Sequence, residues 1–187
     1  KFVAVSSVSQ LDDFKEMLDS HGVKYTLDPL THMLGMRIRY TRHEPNECKA
    51  GKLVIDHDQY VTDSFNSIKK HELIDQSRTS NLINIPISDV DRKWLADQEE
   101  PVFCKERYRL FHAILGKVQH CSQYTHPEIT TAVSIVSQHM MNPSQLDVDC
   151  AFGILRYLNG TVGNERAQMT IQHDARFDKQ EFTQNPS

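Results

Sequence analysis

The sequence predicts an α+β chain, a small antiparallel β-hairpin followed by a mainly α-helical bundle. Three observations predict it. From Leu34 to Thr41 the pattern has period two, with Leu34, Met36, Ile38 and Tyr40 on one side and Arg37, Arg39 and Thr41 on the other. Lys52 to Asp56 returns as a second strand, so Met33 to Asp56 reads as a hairpin with a long polar loop over His43 to Gly51. From Cys104 to Asn159, three helical patterns follow in tandem with short joints, the arrangement of a small bundle.

Taken in order, Phe2 to Val5 reads as a short buried strand. Ser9, with Asp12 three residues on, reads as the start of a helix bearing Leu11, Phe14, Met17 and Leu18, which Gly22 stops. Asp12-Asp13 does not make a metal pair, because adjacent helix positions point about 100° apart. Val23 to Leu27 is an expected strand, ended by Asp28-Pro29. Gly35 interrupts the first hairpin strand, which marks a bulge or a close backbone approach. Asp56 and Gln59 read as a capping box for a helix to about His71, with Val61, Phe65 and Ile68 inward. Glu72 to Pro101 has weak periodicity and is expected to be an extended connector, anchored to a core by Trp94.

In the bundle, Phe111, Leu115 and Val118 form one stripe up to His120. Thr125, Pro127 and Glu128 read as cap, first turn and capping box of the next helix, whose Ile129, Ala132, Val133 and Val136 face inward. Asn142-Pro143 breaks it. Ser144 and Asp147 open a last helix carrying Ile154, Leu155 and Leu158, with Gly160 as the left-handed residue that closes it. Met169 to Ile171 is the candidate for a further strand, and 178–187 reads as a disordered tail.

The 187 residues fit one domain or two small ones, and the formal charge of −4 is not the footprint of a stand-alone nucleic-acid binder. Contact with nucleic acid would have to use local basic patches. The four cysteines include no C-x-x-C pair, so free thiols in a reducing compartment are expected. His120-Cys121 with His126 is the nearest approach to a metal cluster, and its spacing matches no common zinc pattern. No apolar run approaches the ~18 residues of a membrane span. Phe2 to Val5, opening behind Lys1, looks like a strand cut at its start, so the chain reads as a piece of something longer.

The string Ile154-Leu155-Arg156-Tyr157-Leu158-Asn159-Gly160-Thr161 resembles the I-L-R-Y-L-x-G-T signature of copia-type retrotransposon polyproteins. There it lies near the end of the reverse transcriptase region, just before ribonuclease H. Thr125-His126-Pro127-Glu128-Ile129 is similar to the family's T-R-P-D-I, and Phe111-His112-Ala113-Ile114-Leu115-Gly116 to its Y-R-x-L-V-G. His112 and His126 thus replace two arginines, which removes two fixed charges at neutral pH. His32 to Ile38 resembles the F-L-G-I-x-I primer-grip strand. Gly51 to Tyr60 resembles G-x-x-L-x-Q-x-x-Y at the entry to the thumb, without the Gln-x-x-Tyr spacing. His173-Asp174-Ala175-Arg176 resembles the S-D-A-D that opens ribonuclease H, with Asp174 as its first metal-binding carboxylate.

This resemblance implies three parts: the end of a reverse transcriptase palm over 1–56, a helical thumb and connection over 57–161, and the start of ribonuclease H over 162–187. It implies that Met33, Leu34, Gly35, Met36, Arg37 and Arg39 grip an RNA/DNA primer-template, since a glycine lets backbone amides approach a phosphate. The family's Tyr-Val-Asp-Asp turn, which carries metal-binding aspartates, is not in this sequence. No cofactor is therefore expected on this chain, and Mg²⁺ belongs to the complete parent enzyme. The implied partners are nucleic acid and the rest of the polyprotein, with no membrane. The implied setting is a cytoplasmic virus-like particle or the nucleus. The other reading is an inactive or domesticated relic that serves as a protein or nucleic-acid interaction module.

Overall fold

Four strands pair antiparallel in the order β1-β2-β3-β4: β1 is His32–Met33, β2 Met36–Thr41, β3 Lys52–Asp56 and β4 Met169–Gln172. The computed structural model describes residues 8–25, 30–41, 51–82, 84, 87–97 and 101–172. Helices complete an α+β fold: α1 Val8–Ser20, α2 Asp58–Ile68, α3 Asp89–Ala96, α4 Lys105–Tyr124, α5 Thr130–Ser137 and α6 Gln145–Thr161. The chain forms two units, residues 1–30 and 31–187.

In the first unit, α1 keeps its expected stripe half-buried at Leu11, Phe14 and Leu18, while Met17 is exposed. It starts at Val8, so Ser9 lies inside the helix rather than at its cap. Gly22 closes it with φ +65°, and the Val23 amide donates back to the Leu18 carbonyl at 3.0 Å. Residues 23–25 form no strand, and residues 2–5 and 26–29 lie outside the described residues.

In the second unit, Gly35 makes no bulge, and the expected strand breaks at Leu34-Gly35 into β1 and β2. Leu34 and Gly35 both have positive φ, +52° and +78°, and join Met33 to its partner Met36 in a two-residue turn. Positive φ at both central positions is what the twist of a tight hairpin demands. β2 then pairs with β3 from Arg37↔Asp56 to Thr41↔Lys52, and β4 lines up on β3 from Lys52↔Gln172 to Ile55↔Met169. Directly paired residues share a face, so Arg37, Arg39, Asp56, Val54 and Thr170 form one side. Ile38, Tyr40, Ile55, Leu53, Met169 and Ile171 form the other. A strand following the last helix therefore completes the sheet begun by the hairpin.

The bundle has one core. Val61, Phe65, Ile68, Phe111, Leu115, Val118, Val133, Val136, Leu155 and Leu158 are buried in a single cluster, as their spacing predicts. Phe65 and Phe152 stack across it with centroids 5.6 Å apart. Fully burying a leucine such as Leu155 stabilises by about 1.5–3 kcal/mol. The Ser144–Asp147 capping box forms in both directions at the start of α6.

Four local expectations are corrected. Asp56 does not cap α2 in a box with Gln59: its carboxylate is turned to arginines, His57 is the N-cap, and Gln59 bonds Asp63. Thr125 does not cap α5, because its hydroxyl is taken by His57 and a 3-10 turn, Pro127–Ile129, precedes the helix. The connector is not structureless. It contains a 3-10 turn at Gln76–Arg78 and α3, and it is anchored by Ile74 and Ile87 rather than by Trp94, which is 62% exposed. Finally, α6 runs through Gly160 to Thr161, and the left-handed glycine is Gly163 at φ +79°.

Gly160 is needed for another reason. A Cβ there would sit 2.9 Å from the Leu82 carbonyl oxygen and 3.2 Å from Asn81 Cβ. Around it, Arg156 Nη1 donates to the Arg78 carbonyl and Asn159 Nδ2 donates to Asn81 Oδ1 at 2.8 Å. The apolar letters of the Ile154–Thr161 string thus fill the core. Arg156, Asn159 and Gly160 seat the strap formed by residues 78–82.

Candidate nucleic-acid interface

The two arginines of β2 share a face because they are two residues apart, and the register puts Asp56 directly across from Arg37. Asp56 is fully buried. Its Oδ2 accepts from Arg37 Nε at 3.2 Å and from Arg39 Nη2 at 3.1 Å, and its Oδ1 accepts from the Asp58 amide at 3.2 Å. Arg37 Nη2 also reaches Asp58 Oδ2 at 3.3 Å, and Arg39 Nη2 reaches Gln168 Oε1 at 3.0 Å. A carboxylate out of water needs such partners, since an unpaired buried charge costs several kcal/mol. The two arginine side chains remain 40% and 50% exposed, side by side on the polar face. Two cations and two carboxylates leave the patch with no formal net charge.

Of the other expected grip residues, Met36 is buried, Met33 half-buried, and Leu34 and Gly35 exposed at the turn. The close approach at Gly35 is to this chain's own Tyr60: a Cβ would lie 3.1 Å from Tyr60 Cδ2. The Leu34 carbonyl accepts from His120 Nε2 at 2.9 Å, which ties the turn to α4.

Beneath the turn lies a cluster that the sequence pattern does not announce. His57 is fully buried between β3 and α2, with Nδ1 2.6 Å from Thr125 Oγ1. Its ring lies 5.0 Å from His120 and 5.6 Å from Tyr60, centroid to centroid, and Tyr124 packs on His120 at 5.1 Å. Burial, helped by His120 and His126, pushes the His57 imidazole down to about 4. The one local signal is Asp56-His57-Asp58, a histidine flanked by acids at a strand-to-helix joint.

His126 is also buried and bonds Glu128 through Nδ1 at 2.9 Å. Burial opposes ionisation of Glu128, but the hydrogen bond and charge of His126 hold its carboxyl below the ordinary value. His112 donates from Nε2 to the Met140 carbonyl at 3.0 Å. Burial pushes the Cys121 thiol up to about 12, so it is no ready metal ligand. Among the described residues, no three histidine, cysteine or acidic side chains gather where they could hold a metal ion. Asp174 lies outside the described residues, and among the described helices none is long and apolar enough to cross a membrane.

Over 52 residues, 28% of its length, the chain is 40% identical to an uncharacterized mitochondrial protein of Arabidopsis thaliana. The match covers 21% of that protein, so the chain spans only about a fifth of its length. No family model matches the chain. No solved structure matches it.

Proposed function

We propose that this chain is part of a copia-type reverse transcriptase and that its hairpin face grips a primer-template without carrying the polymerase metal site. The observation that carries this reading is the paired Arg37 and Arg39 guanidinium groups, half-exposed on one strand beside a tight turn. Arginine binds phosphate through two parallel N–H donors, and Asp56 engages only part of each fork. The phosphodiester backbone would replace Asp58 and Gln168 as the outer partners. The helix carrying Ile154 to Thr161 supports the sheet's neighbours rather than touching nucleic acid. Mg²⁺ would be held by carboxylates of a segment that this sequence does not contain, and the remainder of the polyprotein would supply them. The setting would be a cytoplasmic particle or the nucleus.

A second reading, an inactive or domesticated interaction module, is favoured by one feature: Asp56 and Asp58 already neutralise both arginines. Fluorescence anisotropy of a labelled RNA/DNA primer-template duplex, titrated with the chain at low salt, separates the two. Saturable binding that is weakened in Arg39→Gln supports the grip. Absence of binding excludes the grip and supports the module as one that takes a protein partner.

A further inference from the structure

We propose that the His57 cluster is an acid-sensitive latch that holds the Leu34–Gly35 turn against α2 and α4. The latch is a matter of placement and does not depend on nucleic-acid binding. His57 Nε2 is buried with no hydrogen-bond partner, while Nδ1 is engaged by Thr125 Oγ1. The turn rests on the same rings: Gly35 lies on Tyr60, and the Leu34 carbonyl is held by His120, whose ring contacts His57, Tyr60 and Tyr124. Moving the turn off Tyr60 and His120 opens the side of His57 to water.

Protonation puts a charge on a ring that is buried away from water and whose Nε2 makes no hydrogen bond in the closed state. Each ionisable neighbour is already engaged or points the wrong way. On β3 and α2, Asp56 and Asp58 are paired with Arg37 and Arg39. On α4, Lys117 sits over the Tyr60 ring at 5.7 Å, His120 faces His57, Tyr124 packs behind, and the Cys121 thiol stays protonated. On the segment after α4, the Glu128 carboxylate is bonded by His126. The Asp56 charge and the Leu34 carbonyl, which also accepts from His120, favour a charged ring, but burial outweighs them. His57 therefore stays neutral while the latch is closed and takes a proton when it opens. With a closed value of about 4 and an open value near the ordinary 6.5, lowering the pH from 7 to 5 should favour the open state roughly 20-fold.

Amide hydrogen exchange with intrinsic rates divided out reads this directly. The Ile38 amide donates to the Thr31 carbonyl at 2.7 Å and reports the hairpin, and the Leu155 amide reports the bundle. The protection of Ile38 should lie below that of Leu155, which marks a local opening, and should fall roughly 20-fold between pH 7 and pH 5, and His57→Asn, which keeps a partner for Thr125, should abolish the fall. An unchanged Ile38 protection in the wild type, the same fall in His57→Asn, or Ile38 protection equal to that of Leu155 at both pH values overturns the proposal. If His57→Asn does not fold, the ring titration of wild-type His57 by NMR decides. A midpoint below 5 with Leu34 and Gly35 amides moving in step supports the latch, and a midpoint near 6.5 overturns it.

Discussion

Two helical glycines should respond to alanine with opposite signs. A glycine in an exposed helix interior costs about 1 kcal/mol relative to alanine, so Gly→Ala ordinarily stabilises. Gly116 lies exposed in α4, and a Cβ added there would meet nothing within 4 Å, so Gly116→Ala should gain about 0.5–1 kcal/mol. Gly160 carries the same propensity cost, but its Cβ would meet the Leu82 backbone oxygen at 2.9 Å. The strap cannot rotate away like a side chain. It must shift by some tenths of an ångström, against the hydrogen bonds from Arg156 to the Arg78 carbonyl and from Asn159 to Asn81. Overpacking of this kind costs about 1–3 kcal/mol, and each strained hydrogen bond about 1 kcal/mol. The losses exceed the gain, and Gly160→Ala should destabilise by about 2–4 kcal/mol. Urea denaturation of both variants against the wild type, fitted at common m, measures the two changes. If Gly160→Ala is as stable as the wild type or more so, the strap does not press on α6.

Leu155→Ala, in the middle of the single core, should cost about 2–5 kcal/mol by the same assay, and a smaller loss would mean that the cluster closes over the cavity. Stability should also depend on pH through His57. Its folded-state value of about 4 lies below the ordinary 6.5, so the contribution is complete above pH 6.5 and is lost as the pH falls towards 4, about 3 kcal/mol in all. The difference in urea midpoint between wild type and His57→Asn, followed from pH 7 to pH 4, isolates it from other titrating groups. The isolated chain should show no Mg²⁺-dependent nucleotide addition on any primer-template, because it lacks the Tyr-Val-Asp-Asp turn. Incorporation by the purified chain would refute the division of labour proposed above.

The core is legible in the sequence because it is periodic. Phe111, Leu115, Val133, Val136, Leu155 and Leu158 each announce a buried helix face, and together they specify one cluster. The Ser144–Asp147 box is legible because its partners are three residues apart. What stays hidden depends on contacts between distant segments. Asp56 looks like a helix cap until the register puts it opposite Arg37, and Thr125 looks like a cap until His57, 68 residues away, takes its hydroxyl. Gly35 and Gly160 both stand out in the sequence, but a glycine does not say whether it serves a positive φ or a close neighbour. Gly35 does both, and Gly160 only the second. The arginine pair reads as a polar strand face. That it rests on a buried carboxylate emerges only once β3 is placed beside β2.

The grip itself is tested most directly by a salt series. Binding of an RNA/DNA primer-template duplex would be measured for the wild type and for Arg39→Gln, which leaves Arg37 on Asp56. Phosphate contacts release counterions, so log K should fall linearly with log salt, and removing Arg39 should lower the magnitude of that slope by about one. Identical slopes in the two proteins, or no wild-type binding at low salt, would contradict the grip and leave Arg37 and Arg39 as the counter-charges of Asp56.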